Sequence, residues 1–92
     1  MIDAVTVNAT STLVLVESPK KNRNMVVFCN NSNEDIYLAP GPVAVSTYGI
    51  PLIANGGSFV DKPDTRGKMY QGSYHAICAS GGKVLSVAEL ND

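Results

Sequence analysis

Tryptophan is absent from this chain, histidine occurs once, and only 16% of residues are charged. Each shortage closes off a class of function. Sandwich domains that bind sugars or single-stranded nucleic acid present aromatic platforms, commonly tryptophan or aromatics beside basic residues. The aromatic set here is Phe28, Tyr37, Tyr48, Phe59, Tyr70 and Tyr74, with no such pairing. Seven Lys/Arg against eight Asp/Glu give a net charge of −1, which supplies no electrostatic footprint for nucleic acid or anionic membrane. The basic residues Lys20, Lys21 and Arg23 form one small cluster, read as a solvated loop. No apolar run approaches the about 20 residues of a membrane span. Met1-Ile-Asp-Ala lacks the basic start and apolar stretch of a secretory signal, so synthesis in a reducing cytoplasm is expected.

Reactive side chains are equally sparse. His75 lies in Ser73-Tyr-His-Ala-Ile-Cys, where strand alternation puts Ser73 on its face and Cys78 on the opposite one. A general base needs a nucleophile within reach and a group to orient it, and sequence adjacency supplies neither. The reading is a half-buried or interface histidine. Cys29 and Cys78 both fall inside expected strands and read as small buried hydrophobes, not as a disulfide. There is no His/Cys cluster for zinc and no acidic loop of calcium type, so neither metal nor cofactor is expected. Asp61, Asp64, Glu34 and Asp35 sit among turn formers, where carboxylates cap and solvate loops. No glycine pattern matches a phosphate-binding loop. The chain is expected not to be an enzyme.

What remains is strand and turn. Valine occupies eleven positions, and Asn, Ser, Gly and Pro punctuate the chain every eight to twelve residues. Ala4–Val7 reads as a first strand. Thr12–Glu17 is a continuous apolar run, which implies cover on both faces, the second from a neighbouring subunit. Asn24–Asn30 alternates, with Met25, Val27 and Cys29 on one face and Val26 and Phe28 on the other. Ile36–Leu38 is a short strand stopped by Pro40-Gly-Pro, and Val43–Ser46 reads as another. Ile50-Pro-Leu-Ile must lie at an edge or strand start because of its proline. Ser58–Asp61 is short, and Met69–Ala79 reads as one strand with a bend at Gly72. Ser80-Gly-Gly and Gly56-Gly57 read as hairpin turns. Lys83–Leu90 closes the set, with Leu85 and Val87 opposite Val84 and Ser86. The expected fold is all-β: one small sandwich or jelly roll of about eight strands spanning residues 1–92, with 1–19 an N-terminal strand or arm engaged in subunit contacts.

Small domains with few charges commonly lean on a partner. The candidate contact residues are Leu13, Val14, Leu15 and Val16 of the apolar run, Ile50, Pro51 and Leu52 of the proline edge, and the aromatics Tyr48 and Tyr70.

Residues 23 to 90 carry a looser pattern. A basic residue (Arg23) opens a strand ending in Asn30-Asn-Ser; then come Ile36-Tyr-Leu, Gly49-Ile-Pro-Leu, Gly56-Gly, the strand Tyr74–Cys78, and Val87-Ala-Glu. This resembles a group of small bacteriophage virion proteins of capsid decoration or cement type. The resemblance implies a head-surface protein that clamps major capsid subunits, forms a homotrimer and resides on the virion. Its alternative is a neck-, tail- or fibre-associated module recognising a receptor or glycan.

Overall fold

The structure, a computed structural model describing residues 2–92, contains eight strands: β1 (Ile2–Val7), β2 (Thr12–Leu15), β3 (Arg23–Asn30), β4 (Ile36–Pro40), β5 (Ile50–Leu52), β6 (Gly57–Asp61), β7 (Tyr74–Cys78) and β8 (Lys83–Asn91). No helix occurs among the described residues. The strands form two antiparallel four-stranded sheets, ordered β1-β8-β3-β6 and β2-β7-β4-β5. Only β4 and β5 are both sequential and paired. Every other connection crosses from one sheet to the other, which is the double Greek key of a jelly roll.

The core lies between the sheets and follows from alternation. Val7, Val26, Phe28, Leu85 and Val87 face inward from the first sheet; Leu15, Ile36, Leu38, Leu52, Tyr74, Ala76 and Cys78 face them from the second. Phe28 and Tyr74 meet at the centre, with ring centroids 4.8 Å apart and a 58° tilt. Full burial of such a ring contributes about 1.5–3 kcal/mol. The alternations expected for β3 and β8 match the burial patterns along both strands.

Four expectations need correcting. Neither Gly-Gly step closes a hairpin: Gly56-Gly57 carries the chain from β5 to β6 and Gly81-Gly82 from β7 to β8, each time between sheets. Gly81 and Gly82 hold φ of 76° and 68°. A hairpin and an inter-sheet arch draw on the same left-handed turn chemistry, so sequence does not separate them. Val43–Ser46 is not a strand. Gly41 N–H donates to Ser73 O and Ala44 N–H to Ser11 Oγ, both at 2.8 Å, so this segment is tied down by loop contacts instead of a ladder. Met69–Ser73 is not part of β7, because its carbonyls are committed to Arg23 and Ser18.

The fourth correction concerns β2. It stops at Leu15, and its register slips between Leu13 and Leu15. The bulge turns Val14 and Leu15 into this chain's own core, at 6% and 3% exposure, while Leu13 and Val16 stay 48% and 60% exposed. No neighbouring subunit is needed to cover Val14 or Leu15. The stretch expected as an N-terminal strand or arm supplies an edge strand to each sheet, β1 and β2; its first residue, Met1, lies outside the described residues.

Candidate interaction surfaces and the polar anchors behind them

Each end of β3 carries a buried polar residue that holds loops in place. Arg23 was expected in a solvated basic loop, yet it is 3% exposed. Its Nε donates to Glu89 Oε2 at 2.7 Å, Nη1 to Tyr70 O and Gly72 O at 3.2 and 2.9 Å, and Nη2 to Val16 O at 2.9 Å. The guanidinium also sits 6.0 Å from the Tyr74 ring centroid. Gln71 completes the clamp: it accepts from Arg23 N–H at 2.7 Å and donates to Arg23 O at 2.9 Å. A planar fork with five donors is what permits one side chain to bind a carboxylate and three carbonyls. Next to it, the Tyr74 hydroxyl donates to Asp61 Oδ2 at 2.7 Å. Burial, then the hydrogen bond to the Asp61 carboxylate, pushes the phenol far above its ordinary value.

At the other end Asn30 is fully buried. Its Nδ2 donates to Glu34 O and Leu52 O at 2.8 and 2.7 Å, and its Oδ1 accepts from Ser32 N–H and Ser32 Oγ. Asn30 O also accepts from Gly56 N–H at 2.7 Å. Glu34 Oε1 then accepts from Ser80 N–H at 2.7 Å, joining the 31–35 loop to the β7–β8 arch. That backbone bond is the main reason the Glu34 carboxyl lies below its usual range. Asp64 behaves alike, accepting from Lys68 and Arg66 N–H within its own loop, and is lowered chiefly by those bonds. These carboxylates cap turns, as their surroundings in the sequence suggest.

With charge drawn to loops, rims and interior, the outer sheet faces are left neutral. In the first sheet, register aligns Ala4, Ser86, Cys29 and Ser58 in one row and Ile2, Ala88, Val27 and Val60 in the next. Asp3, Asp61, Lys83 and Glu89 occupy the alternate positions, toward the interior or its rim. In the second sheet no strand contains Asp, Glu, Lys or Arg. Its outer rows are Leu13, His75 and Ala39, and Ile77, Tyr37 and Pro51. No charged residue occurs from Ile36 to Val60, so the β4–β5 loop is neutral too, with Val43 and Tyr48 exposed by 60% and 72%.

The nucleophile and base candidates are engaged by backbone carbonyls. His75 Nδ1 lies 2.8 Å from Gly41 O; a carbonyl only accepts, so the proton sits on Nδ1. Ser73 Oγ donates to the same carbonyl at 3.4 Å, and Cys78 Sγ points to Val7 O at 3.3 Å. Both cysteines are free thiols. A groove of about 310 Å³ opens near Cys29, Asn31, Asn33, Lys83 and Ser86. Lys83 Nζ donates to Asn33 Oδ1 there at 2.8 Å, so its two most polar groups answer each other. Among the described residues, no group of three or more His, Cys, Asp and Glu is placed to hold a metal ion.

The candidate contact residues divide. Leu13 and Pro51 lie on the second sheet's outer face, Val16 is exposed just past β2, and Tyr48 projects from the β4–β5 loop. Ile50 is half-buried against the core. Val14, Leu15 and Leu52 are core side chains and cannot form a contact surface; Pro51 rather than Leu52 is the outward residue of β5. Tyr70 is 39% exposed but committed to its loop, with its hydroxyl donating to Ser73 O at 2.8 Å and its ring edge-on to Tyr74 at 5.3 Å. Sequence reasoning missed the outer face of the first sheet. Its signal was present: along β8, small and apolar residues alternate with Lys83, Leu85, Val87 and Glu89.

No family model, curated protein or solved structure matches this chain.

Proposed function

We propose that the protein is a non-catalytic virion structural module: a decoration, or cement, protein on a bacteriophage head that binds major capsid subunits. The observation that carries this reading is the neutral outer face of the second sheet, continuous with an uncharged β4–β5 loop, on a domain whose charges lie in loops, rims and core. A protein that adheres to a shell must bury surface against it, and burying unpaired charge is costly. Leu13, Val16, Tyr48 and Pro51 make the contact. The Arg23 and Asn30 anchors hold the loops beside that face, so little ordering is needed on binding.

Mixing the protein with undecorated expanded heads tests the reading. Stoichiometric binding that raises the heads' melting temperature is the expected result, because a ligand stabilises the state it prefers. Leu13→Asp, at an exposed position, should abolish binding without altering the protein's own melting. Failure to bind heads together with retention of a glycan would overturn the proposal in favour of a receptor-binding module. Hydrolase activity that disappears in His75→Ala would overturn its non-catalytic part.

A further inference from the structure

We infer that β1 is an open sheet edge that pairs with β1 of a second copy, giving a two-fold dimer with one continuous eight-stranded sheet. The sandwich has four edge strands, and three carry features that discourage pairing. β5 is three residues long with Pro51 in its middle. β2 is four residues long and bulged between Leu13 and Leu15. β6 ends in the charge of Asp61 and runs directly into Lys62-Pro63. β1 differs from all of them. It pairs with β8 over six residues without a register shift, and it contains no proline, glycine or lysine; its one charge, Asp3, lies at the second position of the strand, where no proline follows. On this strand Ala4 N–H donates to its neighbour Asp3 at 3.1 Å, a local answer to a backbone donor on an edge with no strand beside it.

The sequence of β1 fits itself. For two such strands to form one sheet with matching faces, residues of equal parity must lie opposite each other. Pairing Ala4 of one copy with Ala4 of the other meets this condition. It sets Ile2 against Thr6 and Asp3 against Val5, so the two Asp3 carboxylates never face directly. Any occupant must also accept neutral neighbours, because the rows of Ala4, Ser86, Cys29 and Ser58 and of Ile2, Ala88, Val27 and Val60 run up to this edge. A second copy continues each row in kind. A two-fold seam is isologous and closes on itself, which limits assembly to a dimer in place of the trimer implied by the resemblance. The inference goes beyond head binding and stands without it.

Cross-linking reads the register. In a Cys29→Ser background, with Cys78 buried, Ala4→Cys should form a covalent dimer under mild oxidation, since directly opposed strand residues fall within disulfide reach. Thr6→Cys should not, because the offset separates the two copies of residue 6 by about 13 Å. Native mass spectrometry should show a dimer at micromolar concentration. Ala4→Lys should weaken that dimer at least tenfold by setting like charges opposite each other; circular dichroism should be unchanged, as the residue is exposed, and melting should match wild type at dilutions where wild type is monomeric and fall below it where wild type is dimeric. A wild-type protein that stays monomeric at about 100 µM, one that forms trimers, or equal cross-linking at both cysteine positions would overturn the inference.

Discussion

The Arg23 guanidinium and the Glu89 carboxylate meet at 2.7 Å across the paired strands β3 and β8, though 66 positions separate them in the chain. The arginine side chain is wholly buried and the glutamate side chain is 11% exposed. Together with Gln71 they fix where the loops after β2 and before β7 lie against the sandwich.

Removing one partner of such a pair leaves the other charge buried without compensation. Glu89→Ala should therefore lower stability by about 3–5 kcal/mol, measured by urea unfolding. Arg23→Lys should be nearly as damaging, because a point-like ammonium cannot serve a carboxylate and three carbonyls at once.

Alkaline pH offers a second check. Tyr74 is raised well above its ordinary value of 10.0 by burial and by Asp61. The unfolded phenol ionises near pH 10 while the folded one keeps its proton, so this stabilisation is complete below pH 10 and declines above it. Melting curves between pH 9 and 11.5 should show that decline. Tyr74→Phe should flatten it, at the cost of one hydrogen bond.

On the acid side the sign reverses. Glu34 and Asp64 are lowered from ordinary values of 4.5 and 3.8. Their contribution is present above those values and is lost as pH falls through the depressed folded ones. Stability should begin to drop below about pH 4.5. Glu34→Gln should reduce the steepness of that drop, read as the pH dependence of the urea midpoint.

Glycine positions should differ for identifiable reasons. A Cβ on Gly57 would collide with the backbone N and O of Ile53, which have no room to retreat. Gly57→Ala should cost about 3 kcal/mol, the upper end for overpacking. Gly82 faces open space at φ 68°, so Gly82→Ala should cost only about 1 kcal/mol of left-handed strain. Thermal unfolding of the two variants separates the mechanisms.

Much of the strand content was legible because alternation is local. Met25 to Asn30 and Val84 to Val87 declare their inner and outer faces without reference to the rest of the chain. Sheet membership was not legible, because Gly56-Gly57 and Gly81-Gly82 carry turn chemistry that says nothing about which strand lies beyond. The β2 run misled for a related reason. A bulge places Val14 and Leu15 both inside, so a continuous apolar run did not mean cover from outside. Arg23 was hidden by Lys20 and Lys21: three nearby basic residues look alike until Glu89, Gln71 and the loop carbonyls assemble around one of them. On the outer surface, Leu13, Val16, Tyr48 and Pro51 were found by apolarity alone, and that same criterion swept in Val14, Leu15 and Leu52.

The crossing connections also set the order in which this molecule can assemble. Ile2 pairs with Ala88, and Arg23 with Asn91, so the first sheet lacks its second strand until β8 has been synthesised. On a ribosome, β1 must wait for β8 without a neighbour in its sheet, while β3 has only β6 beside it. Pairings so distant along the chain make folding slow, on the millisecond-to-second scale typical of all-β domains. The exposed strands meanwhile invite contact with other nascent chains. Trimming back to Val87 should leave β1 its partners from Lys83 to Val87 but strip β3 of Ala88, Glu89, Leu90 and Asn91, and yield in expression would then depend on temperature and chaperone supply far more than on any surface residue.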